Sequence, residues 1–392
     1  MLDKNRERLI LQILQNFIRC KSYSGREDHM AVLIKELLAE LGFDDVHTDE
    51  NGSIIGALIG EKAGKRILFD AHIDTAKVTD RNKWTVDPWA GELVDGKIYG
   101  CGASDMKGSI AAFISAISFF DEDYYHNFAG TIYAAFSVHG VGAEGMCAQE
   151  IYSFAHPDYV VITEPSQLKI ATSQPGHVEI TIDLFTKGDI TDKAVTNESA
   201  QKMLEIIQIV SKFNTPIHSG VHNNSFTLKE ILLFPHGNYA HEPICSAKLE
   251  RYLNVGETEE SVLYPLQHAL SSFDAKEPTY FSKAAISTFS KDCYTGSALH
   301  GEGFFPAWET DEQSSLVKAV KKAASASNIK PMLTSYNYCT SGSYYAGVEG
   351  IETVGFGPSI NFQTNRIDEN IAVSDLFSAT KVYYHILKNI LR

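Results

Sequence analysis

The sequence predicts an α/β protein: a discontinuous domain built on a mixed sheet, with an α+β unit inserted into it. Three observations carry this. Helical and strand-like segments alternate through residues 1–176, period-two strands with two helices occupy 177–290, and the α/β alternation resumes over 291–392. At 392 residues the chain also exceeds the roughly 250 to 300 residues that one hydrophobic core supports.

Residues 4–19 and 28–42 read as amphipathic helices. Leu9, Ile10, Ile13, Leu14 and Phe17 recur at three- and four-residue steps, and Ser24-Gly25 separates the pair. Short apolar runs at 52–60 and 65–74 predict strands, followed by a helix over about 108–120 and a strand over 130–140. DYVVITEP (158–165) has the continuous Val/Ile run of a strand covered on both faces. In the insert, VEITIDLFTKG alternates with period two, SFTLKEILLF and AKLERYLNV are strand-like, and ESAQKMLEIIQIVSKF and ETEESVLYPLQHALSSF are helical. A helix near 311–327, a strand at 351–358 and a helix at 373–391 complete the order.

Charge narrows the partners. Against 49 Asp+Glu stand 34 Lys+Arg, a net charge of −15, which excludes a nucleic-acid footprint and argues for solubility. No apolar run approaches the 18 or so residues of a membrane span, so no membrane partner is expected. MLDKNRERLILQILQNF alternates charge with Leu and Ile, unlike an export signal, and a cytoplasmic location is expected. Cys20, Cys101, Cys147, Cys245, Cys293 and Cys339 are scattered without a CxxC pair, which predicts free thiols.

Open α/β sheets place their sites outside the carboxyl ends of strands, and three segments there carry metal-competent side chains. The HxD spacing of His72 and Asp74 puts both on one strand face. The imidazole can ligate a metal while the carboxylate holds its other ring nitrogen, although such a pair also occurs as exposed or capping residues. The turn GKIYGCGASDMKGS delivers Asp105 to a helix start, where an N-cap is an equal reading. Glu164 terminates an apolar strand before Pro165. Together, one imidazole and two carboxylates from separate segments form a ligand set suited to zinc, manganese or cobalt.

In order and context these segments resemble the metallopeptidase and deacylase family of glutamate carboxypeptidase, acetylornithine deacetylase, succinyl-diaminopimelate desuccinylase and aminoacylase. HID (72–74), GCGASDMKGS (100–109) and ITEP (162–165) match its motifs. PGHVEITIDLFTKG, SAQKMLEII and NYAHEPICSAKLERYLNVGETEESV carry the texture of its inserted domain, and YNYCTSGSYYAGVEGIETVGFGP resembles the stretch before its last ligand. The resemblance covers essentially the whole chain. It implies metal ligation by His72, Asp105 and Glu164, with Asp105 bridging two ions and Asp74 orienting His72. It further implies a small-molecule substrate with polar contacts at Asn337, Thr340, Ser341 and Gly342, for which loop chemistry is an equal explanation, and a ferredoxin-like lid over 177–290 of the kind that often mediates a homodimer.

The family pattern then breaks. HGVGAEG (139–145) sets His139 where the general-base Glu stands and Gly140 where a second-site ligand stands. With Glu369 as the fixed point, INFQTNRIDEN sets Asn365 at the usual His, and the lid His falls near Asp192. A second cation would lose two of its three protein ligands, so one ion per chain at most is expected. His139 could act as a base, as a fourth ligand closing the shell, or not at all. His177, His218, His222, His241 and His300 lack a paired ligand, and Cys101 reads as a turn residue. Two functions follow. One is a metal-dependent hydrolase of amide bonds in small N-acyl amino acids or dipeptides, with a reduced single-metal site. The other is a catalytically silent member retained for ligand binding or protein assembly.

Overall fold

The computed structural model describes residues 2–142, 145–187, 194–215, 224–234, 242–360 and 366–392, with backbone alone at 194–197, 214–215 and 224. An eight-stranded sheet forms the centre of the first unit. Its order is Asp45–Thr48, Ile54–Ile59, Ala129–Ser137, Lys62–His72, Tyr159–Ile162, Glu352–Gly355, Ile170–Ala171 and Leu333–Thr334. The four strands from Ala129–Ser137 to Glu352–Gly355 run parallel, while Ile54–Ile59 and Asp45–Thr48 pair antiparallel at one side, so the sheet is mixed.

Helix Gly108–Tyr124 is buried without interruption from Gly108 to Phe120, as expected of a helix that is apolar all round. Phe113 of that helix stacks on Phe69 and Phe136 of the sheet and meets the Tyr383 edge of helix Val373–Leu391. Local chemistry sets the helix ends. Asp3 caps helix Lys4–Arg19 by accepting the Asn5 and Arg6 N–H groups at 2.9 Å. The expected helix at 311–327 begins at Ser315 instead, because Ser314 accepts the Val317 N–H and residues 311–314 form the turn leading into that cap.

The inserted unit has its own core, containing Val178, Ile180, Ile182, Met203, Leu249, Leu266 and Tyr280. Gly176–Thr186, Thr227–Leu233, Cys245–Leu253 and Tyr280–Ile286 are four antiparallel strands, with helices Ala194–Val210 and Glu259–Asp274 between them. Numbered in chain order, the strands lie 2-3-1-4 across the sheet, which is the βαββαβ order of a ferredoxin-like unit. Thr258 and Ser261 form a capping box at the second helix.

A hairpin over Thr288–Asp292 and Ala298–Glu302, which the periodicity does not predict, leaves this unit and rests on the first. The Tyr294 hydroxyl donates to the Gly52 carbonyl and the Thr295 hydroxyl to the Glu50 carbonyl, both at 2.8 Å. Only glycine fits at position 52, where φ is +99° and a Cβ would lie 2.3 Å from the Tyr294 ring. All six cysteines are free. Among the described residues, no helix is long and apolar enough to cross a membrane.

Candidate metal centre

Each candidate ligand arrives at the carboxyl edge of the parallel strands. Strand Lys62–His72 is buried from Ile67 onward and ends on His72, level with Ser137 of the neighbouring strand. Glu164 follows Tyr159–Ile162 by two residues. Asp105 comes from the loop that runs from Gly100 into helix Gly108–Tyr124. The His72 Nε2 atom lies 2.9 Å from Asp105 Oδ1 and 3.6 Å from Glu164 Oε1, and the three donor atoms fall within 4.8 Å of one another. Among the described residues, no other three His, Cys, Asp or Glu side chains converge in this way.

The surroundings orient these ligands. His72 Nδ1 lies 2.9 Å from the Asp74 carbonyl and 3.3 Å from its carboxylate, both acceptors, so Nδ1 carries a proton and Nε2, which faces the Asp105 and Glu164 carboxylates, is the ring nitrogen open to a metal. Asp74 is fully buried and is itself held. Its oxygens accept the Ser24 hydroxyl at 2.6 Å and the Gly140 and Val141 N–H groups at 2.7 and 3.0 Å.

An imidazole and several carboxylates are crowded together here, and the titration shifts reflect that crowding. Burial works against a charge on His72, but Asp105 and Asp74 outweigh it and hold its proton affinity well above that of ordinary imidazole. Burial, reinforced by Asp105, pushes Glu164 up to about 8, and the same two causes push Glu369 up to about 8. Glu27 is raised by burial and then by the charge of Asp74. One imidazole nitrogen and two carboxylates in so electronegative a setting fit a borderline divalent ion such as zinc.

His139 lies outside this group. It stands just past the end of strand Ala129–Ser137 in a left-handed conformation with φ of +54°, and its Nε2 faces the Asp292 carbonyl of the hairpin at 3.0 Å. A carbonyl only accepts, so Nε2 carries the proton and Nδ1 alone is left to act as a base. The structure therefore does not draw His139 in as a fourth ligand. Gly140 packs directly on the ligand ring: a Cβ there would lie 2.2 Å from His72 Cβ and 2.3 Å from its Cγ. Ala143, Glu144, Asp192, His218, His222, His241 and Asn365 lie outside the described residues.

The four residues expected at the substrate separate. Thr340 and Ser341 line a cavity of about 30 Å³ together with Asp70, His72, Gly140 and Glu164. Asn337 lines a different, open cleft with Gln167, Lys169 and Tyr338. The Gly342 N–H is bound to the Thr340 hydroxyl at 3.1 Å, and a Cβ at 342 would strike Trp308, so this glycine serves the turn.

Sequence reasoning passed over Asp70, Glu27 and the placement of Glu369. Asp70 lies two residues before His72 on the same strand, hence on the same face, a period-two signal masked by the apolar run around it. Its carboxylate accepts hydrogen bonds from Ser341 Oγ and, at 3.4 Å, from Tyr345 Oη. Burial pushes Asp70 up to about 6, against the pull of those two hydroxyls and His72. The folded chain thus keeps a proton that an unfolded Asp, with a pKa of about 3.9, releases. Its contribution is fully present below about pH 4 and lost as pH rises through about 6. Asp70→Asn is expected to stabilise the metal-free protein by roughly 2 to 3 kcal/mol above pH 7 and by little at pH 4. Thermal melts at the two pH values check this, and an equal gain at both would contradict it.

A histidine and two acids at the carboxyl ends of the parallel strands of a mixed sheet, with a separate α+β unit inserted into the chain, fit a metallohydrolase class. The chain belongs to Peptidase family M20/M25/M40, which it matches over residues 68–389, and it is a hydrolase-family member built around a metal-competent triad. Over 387 residues it is 27% identical to the uncharacterized protein YgeY of Escherichia coli K12, covering 95% of this chain and 92% of YgeY. A shorter match, 40% identical over 103 residues, joins 26% of this chain to 27% of succinyl-diaminopimelate desuccinylase from Cereibacter sphaeroides. The fold is similar to that of aminopeptidase PepT from Bacillus cereus, with a TM-score of 0.71, 16% identity and 98% of both chains covered.

Proposed function

We propose that the chain hydrolyses amide bonds in small N-acyl amino acids or dipeptides, using one divalent ion per chain held by His72, Asp105 and Glu164. Zinc is the first candidate, with cobalt or manganese as alternatives. One observation carries the single-ion reading: three donors lie within 4.8 Å of one another, while backbone at Gly140 rests against His72 where a second-site ligand would stand. When bound, the ion supplies Lewis-acid polarisation of the scissile carbonyl and acidification of water. Around it, Asp74 fixes the His72 tautomer, and the Asp70, Thr340 and Ser341 side chains line the adjacent cavity. Proton transfer falls to His139 through Nδ1, with the hairpin carbonyl of Asp292 holding Nε2.

That last contact also supports a second reading, a catalytically silent member kept for ligand binding or assembly, because a ring tied into the hairpin is not free to follow a reacting group. Elemental analysis after purification without added metal, paired with a panel of N-acetyl amino acids and dipeptides with and without zinc, manganese or cobalt, separates the two. Turnover that requires metal and is lost in His139→Ala supports the hydrolase. One ion per chain without turnover across the panel supports the silent member, and two tightly held ions contradict both.

We further propose a cytoplasmic homodimer formed through residues 177–290. Strand Thr227–Leu233 is at the edge of its sheet, and Leu228, Ile231, Leu232 and Leu233 are all more than a third exposed along it. An exposed edge strand is a template for a second strand, and a second copy of this chain is its occupant. Light scattering is expected to give twice the chain mass, and Ile231→Lys is expected to halve it; a monomeric wild-type chain contradicts the proposal.

A further inference from the structure

Glu369 is 3% exposed and 264 residues from Asp105 in the chain, yet its side chain is enclosed by the loop that carries Asp105. Its Oε1 accepts the Ser104 and Asp105 N–H groups at 2.8 and 3.0 Å, and its Oε2 accepts the Gly102 N–H at 3.0 Å. The Glu369 carbonyl takes a fourth donor of the same loop, the Gly100 N–H, at 2.9 Å. This stretch enters neither a strand ladder nor a regular helix, so its buried N–H groups need partners from elsewhere. The carboxylate fills a nest of three N–H groups from one turn, an arrangement suited to an anion. The turn is shaped to permit it: Gly102 has φ of +81°, and a Cβ there would lie 2.6 Å from Thr75.

The preceding residue extends the brace. Asp368 accepts the Thr85 N–H at 2.8 Å and the Thr85 hydroxyl at 3.0 Å. Two adjacent acids near the carboxyl end of the chain thus pin two loops, and one bond goes to the backbone of a candidate ligand itself.

We propose that Glu369 is a positioning residue for the metal centre, holding the Gly100–Asp105 loop so that the Asp105 carboxylate meets His72 and Glu164. The inference rests on the single-ion reading above. A support of this kind acts through geometry: a displaced loop changes how Asp105 presents its oxygens, and partners behind the ligands typically set metal affinity within about 10 to 100-fold. Glutamine at 369 would keep the bulk but turn an N–H group toward at least one N–H of the nest. Aspartate would keep the charge at shorter reach.

The test is cobalt(II) titration of the full-length chain, read by its visible d–d absorption, for wild type, Glu369→Gln and Glu369→Asp, with circular dichroism as the folding control. The Gln variant is expected to bind cobalt about 10 to 100-fold more weakly with an altered band, and the Asp variant to recover part of both. Equal affinity and an unchanged spectrum in a folded Gln variant overturn the inference alone. A wild-type chain that takes up no cobalt overturns the single-ion reading and this inference with it. Should the variants not fold, residue-resolved hydrogen exchange on the unmodified protein decides. Protection of the Gly102, Ser104 and Asp105 amides at the level of the central strands supports the brace, and rapid exchange overturns it.

Discussion

Asp105→Asn is expected to abolish metal uptake while leaving the fold intact. Asp105 Oδ1 is 2.9 Å from the His72 ring nitrogen, and among the described His, Cys, Asp and Glu side chains no other joins His72 and Glu164 as a third donor. Its loss should weaken affinity by more than the roughly 100-fold that marks loss of a mere supporting partner, and any metal-dependent turnover should vanish with it. Stability of the metal-free protein should change little. The Asp105 charge raises both Glu164 and Glu369 but also supports the charge on His72, so its removal relieves repulsion and loses a buried partner at once, and the metal-free melting temperature should stay near that of wild type. A ligand at about 1,000 times its Kd stabilises by about 4 kcal/mol, and this increment should appear on adding zinc to wild type and be absent in the variant. Differential scanning calorimetry with and without zinc measures both. Full zinc stabilisation of the Asn variant would remove Asp105 from the site.

Gly140→Glu is expected to destabilise the chain without restoring a second ion. The residue type is the one the family pattern calls for, yet a Cβ at 140 would lie 2.2 Å from His72 Cβ and 2.8 Å from Cδ2. Neither neighbour can yield cheaply, since the Gly140 N–H is bound to buried Asp74 and His72 is held by the same residue. Overpacking costs typically 1 to 3 kcal/mol, and displacing a buried hydrogen-bonded pair adds to it, so a loss of about 3 kcal/mol or more is expected. Gly140→Ala should lose a smaller part of this. Chemical denaturation and metal counting check the pair of variants. A stable Glu variant holding two ions would mean that the 138–142 segment is pliable and that glycine alone had removed the second site.

Much of the fold is legible because its signals are local. The α/β alternation, the period-two strands of the insert and the apolar run into His72 arise from side chains within a few residues of one another. The triad was legible only as a set, since each member alone reads as well as a cap or a solvated strand end, and their order along the chain, which resembles the family pattern, joined them. What stayed hidden depends on distant partners. The direction of the His139 ring is set by a positive φ and by a carbonyl 153 residues away. Glu369 is bound to N–H groups, which every residue but proline carries and which leave no trace in side-chain patterns. The hairpin at 288–302 is short and half-exposed, so neither period marks it, and its docking through Tyr294 and Thr295 onto Gly52 and Glu50 is tertiary. Asp70 was within reach of a period-two reading, but a charge inside an apolar strand is outweighed by its neighbours.

Anomalous diffraction at the cobalt edge, on crystals grown with cobalt in excess, tests the single-ion centre most directly. The expected map holds one peak per chain, about 2.0 to 2.2 Å from His72 Nε2 and from carboxylate oxygens of Asp105 and Glu164. Two peaks bridged by Asp105, or a peak elsewhere with His72 still bound to the Asp105 carboxylate, would contradict it.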